Sequence, residues 1–305
     1  LYAAPIARAS SVLVPEVLLR FPAEVAKLIA SEQLTVWYSV PTILVHLLER
    51  GALDHHDISS LRWVLFGGEI FPAEALAALM AHLPDTRFSN VYGPAEVNQC
   101  THHHLDVAPA PGESIPIGRP WADTQVMLVG DDGATVDGLG DGVLEVRTAT
   151  MMSGYWNRPD LTDSAIIERN DGHGLVQRWY RTGDRCRRDA DGQLHFLGRM
   201  DRQVKIRGNR VELEAVEAAL ADASGVVHAA AVVVERRGEA MLAGVVEGAG
   251  VDPAAVIATV RRLLPPYAVP MEVIVVPNLP RTGSGKIDAR AAAVLVEEQL
   301  IGAGS

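Results

Sequence analysis

The chain has 305 residues, 48% hydrophobic and 21% charged, enough for one large or two ordinary domains with real cores. Its formal charge of -11 argues against nucleic acid or an anionic membrane as a main partner. Only Cys100 and Cys186 occur, far apart and without C-x-x-C spacing, which excludes a zinc knuckle or disulfide framework and points to a reducing, cytoplasmic setting.

From Pro22 onward the pattern alternates helix and strand. A proline at a helix start and apolar residues at Val25, Leu28 and Ile29 predict a helix over 22–33. Thr35–Tyr38 reads as a buried strand, and Pro41 opens a helix through Glu49. Leu61–Phe66 is a strand ending at Gly67-Gly68, Pro72–His82 a helix, and Arg87–Val91 a strand. Strand-helix-strand order implies parallel pairing, with ligands at the carboxyl ends of the strands. Between about Ile117 and Leu197, Asp-Gly turns punctuate short β runs such as 124–129 and 143–146, which predicts a β-rich subdomain. After Asp201 a smaller unit is expected: helix 212–222, strands 226–235 and 241–247, helix 253–264, strand 273–277 and helix 289–298. The longest apolar run, Ala229–Val234, is strand-sized and far short of a membrane span. The first residue is Leu1, inside an apolar segment, so the chain is expected to be a piece of a longer protein.

Several turns bear residues suited to nucleotide chemistry. Gly67-Gly68-Glu69 would let backbone come close to a flat ligand, since neither glycine carries a Cβ. Asn90-Val-Tyr-Gly-Pro-Ala-Glu96 offers a ring at Tyr92 for stacking on a base and a carboxylate at Glu96 for a hard cation. Tyr180-Arg-Thr-Gly-Asp184 ends on an aspartate able to accept hydrogen bonds from a ribose diol. Taken singly, each reads better as an ordinary turn. Arg281-Thr-Gly-Ser-Gly-Lys-Ile-Asp288 is not a P-loop, because Pro280 replaces its first glycine and Ile287 its hydroxyl. His55-His56 and His102-His-His104 are read as ordinary residues, because neighbouring strand side chains point to opposite faces.

Taken together, the order GGE, NVYGPAE, GYWNRPDLT, YRTGD, GRMDRQVKIRGNRVELEAVE, LPPYAVP and LPRTGSGKID resembles the adenylate-forming superfamily. It is most similar to the amino-acid adenylation domains of non-ribosomal peptide synthesis. The resemblance implies an α/β adenylate-forming enzyme fold: residues 1–200 as the later portion of the large core domain, an α/β layer plus a β-rich subdomain, and residues 201–305 as a small mobile α+β C-terminal subdomain. It implies ATP with Mg2+, an amino-acid substrate activated as aminoacyl-AMP, and a carrier protein whose phosphopantetheine thiol receives it. By that resemblance Lys286 is the catalytic lysine, its loop flanked by Gly283 and Gly285. Gly67, Gly68, Glu69, Tyr92 and Gly93 flank the adenine, Asp184 and Arg199 hold the ribose, and Glu96 binds the metal. Asp201 is the hinge and Gly208 lies on the thiolation face. The substrate side chain is met by Tyr38, Leu65, Gly67, Val91, Gln99 and Cys100, an uncharged set that favours a small neutral or cyclic amino acid such as proline.

Two departures stand out. The family's threonine in Tyr-Gly-Pro-Thr-Glu is Ala95, one hydroxyl fewer for the α-phosphate and an expected tuning effect. Nothing matches the family's phosphate loop ending Pro-Lys-Gly or its Phe-Asp motif, both expected upstream of Leu1. The rival readings are an aryl- or acyl-CoA ligase of the same superfamily and a non-catalytic remnant of the fold.

Overall fold

Proline at the first helical position, where no intrahelical N–H is needed, starts two of the helices in the first half of the chain. The computed structural model describes residues 3–170, 174–236, 239–283 and 286–302. These fall into two units, Leu1–Met200 and Asp201–Ser305.

In the first unit a short helix α1 (Ala3–Ile6) precedes α2 (Pro22–Ser31), β1 (Val36–Ser39), α3 (Pro41–Arg50), β2 (Trp63–Phe66), α4 (Ala73–His82) and β3 (Arg87–Tyr92). Strands β1, β2 and β3 pair in parallel, as the alternation of elements requires. The sheet then continues antiparallel through β4 (Thr101–Leu105) and β5 (Arg119–Pro120), two strands the pattern of apolar residues did not reveal. Trp37, Val64, Phe66 and Phe88 point to one face and are buried against Val25, Ile29, Leu44, Leu47, Leu76 and Leu79 of the helices. The register places Tyr38 beside Leu65, Leu65 beside Ser89, and Ser89 beside His104. By strand alternation this row occupies the face turned away from the helical core.

The β-rich stretch forms a second sheet from β6 (Thr124–Val129), β7 (Gly140–Thr148), β8 (Ile166–Asn170), β9 (Val176–Arg188) and β10 (Leu194–Arg199), all pairs antiparallel, in the order β10-β9-β7-β6 with β8 also on β9. A helix absent from the sequence expectation, α5 (Pro159–Ala165), precedes β8, again opened by proline. Tyr92 at the end of β3 joins Cys100, Leu128, Leu144, Tyr180 and Leu194 in one cluster, which links the first sheet to the second.

The second unit opens on a hairpin, β11 (Gln203–Ile206) and β12 (Asn209–Glu212). Its two turn residues, Arg207 at φ 50° and Gly208 at φ 79°, take the left-handed conformation that a two-residue hairpin turn requires. There follow α6 (Leu213–Ala221), β13 (His228–Arg236), β14 (Glu239–Glu247), α7 (Pro253–Leu263), β15 (Glu272–Val276) and α8 (Ala289–Gly302). β13 and β14 pair antiparallel, β14 and β15 in parallel. Alternate residues of these strands serve two cores. Ala231, Leu242 and Val246 pack with Val216, Leu220, Val256 and Val260 of α6 and α7, whereas Val232, Val234 and Val245 pack with Ala292 and Val296 of α8. Among the described residues no helix is long and apolar enough to cross a membrane.

Candidate active site

The turn after β3 is built by close backbone contact. Cys100 N donates to Tyr92 O at 2.8 Å and Val97 N to Pro94 O at 3.1 Å, so residues 93–99 fold back on the strand that precedes them. A Cβ on Gly93 would lie 1.6 Å from Asn98 O, so only glycine fits there. This turn carries Glu96, which is 7% exposed. Its Oε1 accepts from the Tyr155 hydroxyl at 2.7 Å, and its carbonyl accepts from Met152 N at 2.7 Å.

Tyr92 is itself 7% exposed and its ring belongs to the cluster that joins the sheets. Its hydroxyl donates to Asp184 Oδ2. Burial, and then the charge of Asp184, push the phenol well above its ordinary pKa. The other carboxylate oxygen, Asp184 Oδ1, accepts from Arg199 Nη1 at 2.7 Å, and Arg199 also reaches Thr182 O at 3.1 Å. Thr182 Oγ1 accepts from Asp184 N at 3.0 Å while donating to Leu144 O at 2.8 Å. Asp184 and Arg199 are partners across the β9–β10 ladder, where a bulge between Phe196 and Gly198 shifts the register. Tyr92, Asp184 and Arg199, distant in sequence, thus form one buried cluster.

The Gly67-Gly68-Glu69 turn is held by close backbone packing and by hydrogen bonds to α3. A Cβ on Gly67 would lie 2.0 Å from Val91 O, so only glycine lets the turn lie this close to the end of β3. Glu69 Oε2 accepts from Thr42 N at 3.2 Å and Thr42 Oγ1 at 2.6 Å, which ties its side chain to the first turn of α3. Gly68, at φ +92°, keeps the conformational role that glycine serves in a turn.

Of the six expected substrate-pocket positions, Tyr38, Leu65 and Val91 lie on the sheet face opposite the helices, with Tyr38 57% exposed. Gly67 is buried just beyond Leu65, and Gln99 is half-buried on the closed turn. Cys100 closes the turn after β3. It is fully buried, its thiol donates to Tyr92 O at 3.4 Å, and burial pushes it up to about 12. Further along the same face Trp63 Nε1 donates to Ser89 Oγ at 2.8 Å, and Ser89 Oγ lies 2.7 Å from His104 Nδ1.

In the second unit Lys286 is exposed on a short, closed loop. Thr282 N donates to Lys286 O at 2.7 Å, Asp288 N donates to Pro280 O at 2.8 Å, and Arg281 bridges Ile287. Asp288 Oδ1 then caps α8, accepting from Arg290 N and Ala291 N. Gly283 has open space around it, while Gly285 lies outside the described residues. Gly208 sits at the hairpin tip, and Asp201, the first residue of the unit, accepts from Gln203 N at 3.1 Å.

Residues 1–156 match the family described as AMP-binding enzyme, and residues 215–286 match the AMP-binding enzyme C-terminal domain. The chain belongs to the AMP-binding enzymes. Among relatives, an L-proline--[L-prolyl-carrier protein] ligase of Pseudomonas fluorescens is 34% identical over 93% of this chain and 55% of its own length. A ligase of the same name from Streptomyces coelicolor is 36% identical over 91% of this chain and 52% of its own length. The adenylation domain AlmE of Vibrio cholerae, solved with glycyl-adenosine-5'-phosphate, is 29% identical, with a TM-score of 0.80 over 93% of this chain and 53% of that one. The chain spans about half the length of these relatives. The expected α/β adenylation fold, in part, is therefore the fold observed.

Three supporting residues in this AMP-binding chain escaped the sequence. Thr42, Thr182 and Tyr155 each fix a residue expected in the site, through contacts 27, 2 and 59 positions away. Tyr155 and Thr182 had a signal, their places within GYWNRPDLT and YRTGD; Thr42 had none.

Proposed function

We propose that the chain activates an amino acid with ATP as aminoacyl-AMP, releasing pyrophosphate, and passes the aminoacyl group to the phosphopantetheine thiol of a carrier protein. The observation that carries this reading is the buried Asp184, aligned by Tyr92 and Arg199. A carboxylate whose orientation is set before binding loses little freedom when it accepts from a ribose diol. Tyr92 would serve adenine with the limited edge its burial leaves, while Gly67, Gly68, Glu69 and Gly93 shape the backbone beside it.

The substrate carboxylate attacks the α-phosphorus, the bond to the bridging oxygen breaks, and pyrophosphate leaves with the electron pair. The exposed ammonium of Lys286 suits the stabilisation of charge on the phosphoryl oxygens as they become more anionic. In the second step the pantetheine thiolate attacks the acyl carbonyl and AMP departs. Asp201 would act as the hinge between the two steps, with Gly208 on the thiolation face.

Among the described residues no group of three or more His, Cys, Asp or Glu side chains is arranged to hold a metal ion. Mg2+ is commonly bound through one or two carboxylates plus substrate phosphates, and the hard oxygens of Glu96 fit that pattern. When bound, the ion would offset the negative charge of the ATP phosphates. Glu96 contributes a carboxylate fixed by its turn and by Tyr155.

The uncharged side chains of Tyr38, Leu65 and Val91, and the prolyl-carrier ligases among the relatives, support a small neutral or cyclic amino acid, proline first. The test is amino-acid-dependent exchange of labelled pyrophosphate into ATP across a panel of amino and aryl acids. Exchange with one amino acid, reduced by a factor of about 10²–10³ in Lys286→Ala, is the expected result. Exchange with aryl acids alone, or none with any acid, would sink the reading.

A further inference from the structure

The turn that carries Glu96 is clasped by a segment more than fifty residues away. Thr150 Oγ1 donates to Val97 O at 2.7 Å, Met152 N donates to Glu96 O at 2.7 Å, and the Tyr155 hydroxyl donates to Glu96 Oε1 at 2.7 Å. Two of these bonds hold backbone; the third alone reaches the carboxylate.

Tyr155 is in turn held in place. Its N–H donates to Thr162 Oγ1 at 2.9 Å, and that hydroxyl donates to Arg158 O at 2.9 Å, inside the first turns of α5. A Cβ on Gly154 would lie 2.9 Å from Thr162 Cγ2, so the backbone before Tyr155 rests directly on the helix. Pro159 and the ion pair between Arg158 and Asp160, at 2.6 Å, begin that helix. The phenol is therefore supported by a local scaffold whose visible output is one hydrogen bond to a carboxylate.

A glutamate has three side-chain torsions, and fixing it costs rotamer freedom. A partner that fixes it in advance removes that cost from metal binding, which is how groups behind metal ligands commonly act. We propose that Tyr155 is a positioning residue for the metal-binding carboxylate, its hydroxyl holding Glu96 in the orientation that receives the divalent cation of metal–ATP. The proposal rests on the reading of Glu96 given above. It assigns to the GYWNRPDLT segment a task beyond folding: presenting Glu96.

The test uses Mn2+ as the probe, because its paramagnetic resonance signal reports binding without any turnover. The chain is titrated with Mn2+ at saturating ATP, and ATP binding is measured separately in EDTA. Tyr155→Phe should weaken Mn2+ uptake roughly tenfold, the effect of losing one hydrogen bond to a charged group. ATP binding in EDTA should stay at the parental value. Thr162→Val, which loosens Tyr155 without touching its hydroxyl, should weaken uptake by a smaller factor. Adding Tyr155→Phe to Glu96→Ala should change nothing further.

Glu96→Ala with undiminished Mn2+ uptake would overturn the reading of Glu96 itself. Glu96→Ala that loses the metal while Tyr155→Phe retains it would overturn the positioning role and leave Glu96 standing. Equal losses of Mn2+ and metal-free ATP binding in Tyr155→Phe, or in Thr162→Val if the first variant does not fold, would reduce Tyr155 to a structural residue and overturn the proposal. No Mn2+ uptake by the parent chain would overturn both assignments.

Discussion

Replacing Arg199 by methionine tests whether the cluster around Asp184 is a buried ion pair in the energetic sense. The side chains of Arg199 and Asp184 are 15% and 6% exposed, and 2.7 Å separates Nη1 from Oδ1. Methionine fills much of the guanidinium's space but takes away the cation that faces the buried Asp184 carboxylate. Breaking a buried pair in this way typically costs about 3–5 kcal/mol, because the remaining charge is left uncompensated. For a unit of this size each kcal/mol moves the midpoint by about 2–4 °C, so Arg199→Met should melt roughly 6–20 °C lower. The double variant Asp184→Asn with Arg199→Met removes the charge as well and should recover most of the loss. Thermal and urea denaturation followed by tryptophan fluorescence measure the midpoint shift and the free energy for both variants. Arg158→Met is the control: its pair with Asp160 is as short, at 2.6 Å, but the side chains are 54% and 61% exposed, so no change is expected. A loss below about 1 kcal/mol in Arg199→Met, or a double variant as unstable as the single one, would refute the reasoning.

Gly67→Ala should destabilise the first unit by at least about 1–3 kcal/mol, since its Cβ would lie 2.0 Å from the Val91 carbonyl and two paired strands would have to part. Alanine at Gly283, which has nothing within 4 Å, should leave the urea midpoint unchanged. Cys100 resists ionisation: burial pushes its thiol from an ordinary 9.0 to about 12. A folded-state pKa raised in this way adds stability that is complete below the unfolded value and is lost as pH rises. Between pH 9 and about 12 this one thiol should remove about 1.4 kcal/mol per pH unit, and Cys100→Ala should flatten that part of the stability curve. Iodoacetamide at pH 8 should modify Cys100 only after unfolding, as peptide mass mapping would show.

The parallel β1–β2–β3 layer was legible because prolines and apolar periodicity mark each element and leave few topologies. The sheet of the second unit was equally plain, from Val-rich strands buried on both faces. Strands β4 and β5 were hidden for a physical reason. Thr101–Leu105 is three histidines between two short residues, and Arg119–Pro120 is only two residues long, so their pairing is set by neighbours and not by their own pattern. Helix α5 was obscured by the polar run Pro-Asp-Leu-Thr-Asp-Ser-Ala, in which no buried face shows. At the site, motif order indicated which residues to examine but not which contacts they make. Nothing in the sequence says that Tyr92 meets Asp184, that Glu69 reaches back to Thr42, or that the Cys100 thiol meets the Tyr92 carbonyl. Those facts come from register and loop closure, which bring together residues up to 92 positions apart.

The placement of the row Tyr38–Leu65–Ser89 also bears on how such a chain can change over generations. Tyr92 and Asp184 lie in the interior that joins two sheets, so altering them disturbs folding as well as recognition. The row lies on the side of the sheet away from the helical core. Substitutions at Tyr38 or Leu65 therefore disturb the interior less than substitutions at Tyr92 or Asp184. That face of the sheet can thus vary in sequence while the packing between the two sheets stays fixed.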